Sequence, residues 1–166
     1  MALVALVIAS ARGNPDLYRL DPTREPAWFA ISPGLGLAVG LFVVGATRLA
    51  TKHLQWARDL HSSFRDLLGP LTGKEIVILA LASSIGEELL FRGALLPWFG
   101  IWIQGTVFAL LHVGPGRRFV PWTISALVLG FAFGWLAQWT GNLGGPIAAH
   151  FAINFLNLRF IVSRRA

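Results

Sequence analysis

The sequence predicts an all-α, polytopic membrane helix bundle, and three observations predict it. Of the 166 residues, 55% are hydrophobic and only 13% charged, about half the charged fraction of a soluble domain. The mean hydropathy is +0.63. The apolar residues gather in long runs instead of recurring on one face of short elements, which makes a bilayer the expected solvent and membrane lipids the first expected partners. A disordered, collagenous or disulfide-stapled chain is excluded, and the absence of cysteine excludes thiolate metal sites and cysteine nucleophiles. The fourteen Lys and Arg residues give a net charge of +6, but they are scattered between apolar runs and form no basic stripe for nucleic acid.

Taken in order, Met1–Ala11 is too short to cross a membrane. It resembles a signal-peptide core, yet no basic segment precedes it and Arg12-Gly13-Asn14-Pro15 is a poor cleavage site, so a retained interfacial or partial helix is expected. Spanning or near-spanning helices are expected at Ala27–Ala50, Glu75–Trp98, Phe99–Val113, Pro121–Thr140 and Pro146–Val162, about five in all. The third is the shortest. Between the first two, residues 51–69 carry Leu54, Ala57, Leu60, Phe64, Leu67 and Leu68 at helical spacing, with Arg58, Asp59, Arg65 and Asp66 between them. That pattern predicts an amphipathic connector on the membrane surface, with His53 and His61 in solvent. Gly69-Pro70 stops it, and Thr72 with Glu75 three residues later is a capping-box signature that starts the next helix. No internal repeat or domain boundary is visible, so residues 1–166 read as one membrane domain.

If the helices alternate in direction, Arg48, Lys52, Arg58, Arg65, Lys74, Arg117, Arg118, Arg164 and Arg165 fall on one side, and only Arg12, Arg19 and Arg24 on the other. Positive loops resist translocation, so the first side and the C-terminus are expected in the cytoplasm, with the chain in the cell membrane. The uncharged Pro97–Gly100 turn and the 139–145 connection fall on the second side. Trp28, Trp98, Trp102 and Trp139 lie near outer helix ends, and Trp56 and Trp122 near inner ends, at headgroup level.

The chemistry is expected where hydropathy alone forbids polar groups. A carboxylate at mid-bilayer costs at least ~2.5 kcal/mol on the permissive insertion scale, yet Glu87 and Glu88 stand together in mid-helix. Arg92, four residues after Glu88, faces the same way and can pair with it. Glu87, rotated by ~100°, is left to point into a cavity, with Glu88 and Arg92 as its expected support. Gly86, Gly93, Ser83 and Ser84 let neighbouring helices approach closely. His112 follows near the end of the third run, and His150 and Asn154 lie four apart in the fifth. At ~1.5 Å per residue, Glu87, His112, His150 and Asn154 converge within about one helical turn of a common depth, offset toward the outer side. A buried network that merely holds helices together needs less than two carboxylates, two imidazoles and an amide.

At these residues the chain resembles the CAAX-protease and bacteriocin-processing family of intramembrane proteases, which includes the Ras-converting prenyl endopeptidases. Glu-Glu-x-x-x-Arg at Glu87, Glu88 and Arg92, Phe-x-x-x-His at Phe108 and His112, and His-x-x-x-Asn at His150 and Asn154 carry the likeness, within residues 71–162. The resemblance implies an intramembrane endopeptidase acting on a protein or peptide. Peptide hydrolysis needs an activated water and donors for the oxyanion. Glu87 is the natural general base, since a buried carboxylate takes up a proton more readily. His112 would hold or help activate the water, and His150 and Asn154 would stabilise the oxyanion. Glu88 would support Glu87 or take part directly, and Phe108 would pack beside the site.

Glu87, His112 and His150 also form an acceptable zinc set, so a metal-dependent hydrolase stands as an alternative to a glutamate-dependent one. The sequence contains no His-Glu-x-x-His motif, no aspartate within a span, and no Gly-x-Ser setting for Ser83, Ser84 or Ser125. A proton-relaying transporter would need more than five short helices without an inverted repeat. The alternative from another class is a non-catalytic immunity or scaffolding membrane protein of the same family. For the enzyme, the expected substrate is the C-terminal region of an exported or membrane-anchored protein or peptide.

Overall fold

The computed structural model describes residues 1–163 and is entirely helical apart from turns and one isolated bridge between Arg19 and Asn142. Seven α-helices follow in order: α1 (Ala2–Ala11), α2 (Trp28–His53), α3 (Gln55–Leu68), α4 (Gly73–Glu88), α5 (Leu96–Leu110), α6 (Val120–Thr140) and α7 (Gly144–Ser163). A π-helical segment, Leu89–Leu95, joins α4 to α5 without a break, and a single 3-10 turn, Arg117–Phe119, leads into α6. Among the described residues, three helical stretches are long and apolar enough to cross a membrane: Trp28–His53, Arg117–Thr140 and Gly144–Val162.

Small residues set the closest helix contact. Gly36 and Gly40 of α2 face Gly145 and Ala149 of α7, and a Cβ added at Gly40 would sit 2.8 Å from the Ala149 carbonyl. This is the small-xxx-small pairing that lets backbones touch where lipid offers no hydrophobic drive for association. Ser32 completes the contact, accepting from the Gly145 N–H at 2.8 Å and donating to Thr140 Oγ1 at 3.0 Å. It thereby satisfies one of the donors that the start of α7 leaves without an intrahelical partner.

The capping box forms as predicted: Thr72 Oγ1 accepts from the Glu75 N–H, and Glu75 Oε2 accepts from the Thr72 N–H at 2.7 Å. The expected helix Glu75–Trp98 differs in two respects. It starts earlier, at Gly73, and its hydrogen-bond ladder widens at Leu89. The reversal comes at Gly100, whose φ of 71° only glycine adopts readily, inside what is otherwise α5. The expected third helix, Phe99–Val113, ends sooner, at Leu110, so His112 lies just beyond the helix.

Met1–Ala11 does form a partial helix, but it packs into the bundle. Ala5 and Ala9 are buried with Leu17 and Ala94, against Leu89 and Leu90 of the π segment. Arg12 Nη1 donates to the carbonyls of Gly93 and Ala94 at 3.4 and 3.3 Å.

The loops divide between the two ends of the bundle as expected. Residues 14–26 pack on the α6–α7 connection: Leu20 N–H donates to Gly141 O at 2.9 Å and Leu143 N–H to Tyr18 O at 3.0 Å. At the opposite end α3 lies across the other helices, with Phe64 edge-on to Phe119 and Trp122 and Arg65 Nε donating to Ile161 O at 2.9 Å. His53 is exposed as expected, whereas His61 is turned inward against Phe160. Arg164 and Arg165 lie outside the described residues.

Candidate active site

The polar residues singled out in the sequence come together from four helical elements. Glu87 and Glu88 close α4, Arg92 sits in the π segment, His112 follows α5, and His150 and Asn154 lie on α7. Glu88 Oε1 takes two donors, Arg92 Nη1 at 3.0 Å and His150 Nδ1 at 2.8 Å, and both Glu88 and Arg92 are fully buried. The Glu88–Arg92 pair was expected to support Glu87. Its direct bond goes instead to His150, fixing that ring with Nε2 turned toward Glu87.

Arg92 is held at both terminal nitrogens, while its Nε is buried without a hydrogen-bond partner. Its Nη2 donates to the Gly130 carbonyl at 3.2 Å, and the guanidinium lies 4.4 Å from the Phe108 ring centre and 5.4 Å from that of Phe133. Phe108 is therefore more than packing beside the site, because its ring face meets a buried cation. Gln104 Nε2 donates to the same Gly130 carbonyl at 2.9 Å. Gln104 escaped the sequence reading, since a lone glutamine in an apolar run has no motif to mark it.

His112 is oriented by its own helix end. Its Nδ1 lies 2.7 Å from Phe108 O, and a carbonyl only accepts, so Nδ1 carries a proton and Nε2 is the ring nitrogen left facing Glu87. The ring lies 4.2 Å from that of Phe108 and 5.2 Å from that of Trp122, and Thr123 Oγ1 donates to the His112 carbonyl. Glu87 Oε2 is buried without a hydrogen-bond partner, 3.6 Å from His112 Nε2 and 3.9 Å from His150 Nε2. These separations exceed direct hydrogen bonds, so the carboxylate oxygen faces both imidazoles without bonding either.

A metal fits less well. Ligand atoms on a tetrahedral zinc with bonds of about 2.0–2.1 Å lie roughly 3.3–3.4 Å apart. Among the described residues no group of three or more His, Cys, Asp or Glu side chains is gathered to hold an ion. The expected zinc set of Glu87, His112 and His150 stands a little wider than the tetrahedral spacing, with Glu87 Oε2 3.6 and 3.9 Å from the two imidazole Nε2 atoms.

Asn154 stands one turn from His150, and its Nδ2 donates to Ser83 Oγ at 2.9 Å. Ser83, one turn before Glu87, was noted in the sequence as a small residue without the setting of a nucleophile, not as a partner of Asn154. A cavity of about 450 Å³ begins at Ser83, His112, His150 and Asn154 and extends to Trp56, Leu60 and Phe64 at the α3 end. Glu87 is not on its wall but lies behind the two imidazoles.

The arrangement has relatives. Residues 72–156 match the family described as type II CAAX prenyl endopeptidase, Rce1-like. The chain is 38% identical over 81 residues to the uncharacterized protein YpbD of Bacillus subtilis (strain 168), an alignment covering 48% of this chain and 41% of that protein. No solved structure matches. The matched range contains Glu87, Glu88, Arg92, Phe108, His112, His150 and Asn154.

Proposed function

The chain belongs to the Rce1-like family of type II CAAX prenyl endopeptidases, and on that footing we propose that it is an intramembrane endopeptidase using a glutamate-activated water. One observation carries the reading: an unpartnered, buried Glu87 oxygen faces the nitrogens of two imidazoles that line a chamber. In this step His112, acting as the Nδ1–H tautomer, and the Glu87 carboxylate offer two acceptors for the two hydrogens of one water, leaving an oxygen lone pair free to attack a carbonyl carbon. As the C–O bond forms, Glu87 takes the water proton. The oxyanion is met by His150, whose Nδ1–H is held by Glu88, and by the Asn154 amide held by Ser83. Collapse of the tetrahedral species breaks the C–N bond, and the proton on Glu87 passes to the leaving amine. To donate from Nε2 while its Nδ1–H bonds Glu88, His150 acts in this step as the imidazolium. No step is routed through a metal.

The chamber reaches the site from the α3 end, so a membrane-anchored protein or peptide approaching from that end fits the reading best. Maturation or clipping of its C-terminal region is the proposed outcome. The test is Glu87→Gln, which preserves size and removes the base. The variant should melt as the wild type does in detergent, and the precursors that accumulate in a deletion strain should stay unprocessed when it is expressed. Restoration of normal C-termini by Glu87→Gln would overturn the proposal.

A further inference from the structure

The chamber carries a polar side chain that this chemistry does not use. Asn157 lies on α7 three residues beyond Asn154, on the chamber wall, and its Oδ1 is buried with no hydrogen-bond partner. A buried acceptor that has lost water and gained no donor is costly, and native structures keep few of them. The other small polar groups on the wall are already engaged: Thr47 donates to Val43 O, Thr51 to Thr47 O, Ser83 to Leu79 O, Ser125 to Pro121 O, and Asn154 to Ser83.

Three residues of helix advance ~4.5 Å toward α3, and an extended peptide advances ~3.3 Å per residue. Asn157 therefore meets a backbone amide one or two residues away from a bond held at Asn154. Much of the chamber wall is apolar, with Val43, Leu60, Leu79, Leu129, Ile153 and Leu158 among its residues. At about 450 Å³ the chamber falls within the ~300–1,000 Å³ of ordinary ligand pockets. A hydrocarbon chain alone would fill this space and leave Oδ1 unpaired. An extended peptide with apolar side chains fills it and also brings an N–H.

We infer that Asn157 is a substrate-binding residue, its Oδ1 accepting a backbone N–H from an extended, apolar peptide segment on the α3 side of the scissile bond. The inference rests on the endopeptidase reading above, and the experiment separates the two. The full chain in detergent is given an internally quenched Leu/Ala peptide and a set of analogues N-methylated at one amide each. In the wild type, methylation of one amide on one side of the cut should lower kcat/KM by about 3–10-fold, the worth of one hydrogen bond. Asn157→Ala should start lower by the same factor, mainly through KM, and lose nothing further at that amide. Asn157→Leu should raise the melting temperature while lowering kcat/KM, since an orphaned polar atom is replaced by an apolar one. Equal sensitivity to every methylation in wild type and Asn157→Ala, or full activity in Asn157→Leu, would refute the role of Asn157. A wild type that cuts no peptide of the series would overturn the endopeptidase reading, and this inference with it.

Discussion

Gly36→Ala is the sharpest test of the packing that positions the site. A Cβ at residue 36 would overlap the backbone carbonyl of Gly145, whereas at Gly45, nine residues along the same helix, nothing lies within 4 Å. Relief at Gly36 requires α2 and α7 to separate by more than about 1 Å before atoms reach an ordinary 3.5–4.0 Å contact. Overpacking of this kind costs roughly 1–3 kcal/mol or more, and backbone gives less than a side chain, so the upper end applies. Each variant also gains ~1 kcal/mol of helix propensity over glycine. Gly36→Ala should thus lose about 2 kcal/mol and Gly45→Ala gain about 1. The gap of roughly 3 kcal/mol corresponds to ~6–12 °C for a chain of this size. Activity should fall further than stability, because α7 carries His150 and Asn154, and a displacement of ~1 Å at such groups costs about 100-fold. The assay is thermal unfolding in detergent beside peptide cleavage. Equal melting temperatures for the two variants would show that α2 and α7 are not in backbone contact.

Three other outcomes follow from the same structure. Arg92→Met leaves the buried Glu88 without its guanidinium partner, which should cost about 3–5 kcal/mol; adding Glu88→Leu should recover much of it, and a single variant that melts like the wild type would contradict the buried pair. Ser83→Ala frees the Asn154 amide and should lower kcat by up to about 10-fold, the worth of one hydrogen bond, with Ser83→Thr restoring it; unchanged kcat in Ser83→Ala would remove Ser83 from the site. A phosphatase fused after residue 166 should be inactive and a fluorescent protein there should glow, because the α3 end carries the basic loops; an active phosphatase would invert the topology.

How much was legible depended on contrast within each helix. α3 alternates charged and apolar residues, so its amphipathic character and position were readable from spacing. The Thr72–Glu75 capping box and the Glu88–Arg92 pair are local, three and four residues apart, and both form. The joining of Glu87, His112 and His150 was legible as a depth coincidence and a set of motifs, since polar groups stand out against apolar runs. Which carboxylate served which imidazole was not. The Glu88–His150 bond spans 62 residues, and helices apolar on all sides give periodicity no face to report. For the same reason α1 was readable as a helix but not as a partner of the π segment.

The π segment explains how a charged cluster is housed in so apolar a chain. Phe91, Arg92, Gly93 and Ala94 are buried in succession, which a helix packed on one side cannot achieve, because four consecutive residues point all around its axis. The segment is enclosed instead. Phe91 meets Phe108, Arg92 reaches Gly130, Gly93 touches Leu17, and Ala94 packs with Ala5 and Ala9. Its ladder runs from the Leu96 N–H back to Phe91 O, one residue farther than in an α-helix. Pro97 and Gly100 disturb the helix just beyond, and Arg12, at the end of α1, donates to the Gly93 and Ala94 carbonyls at the segment's end. The short first helix is thereby tied to the site it never touches: it covers the far side of the segment whose near side fixes Arg92, then Glu88, then His150.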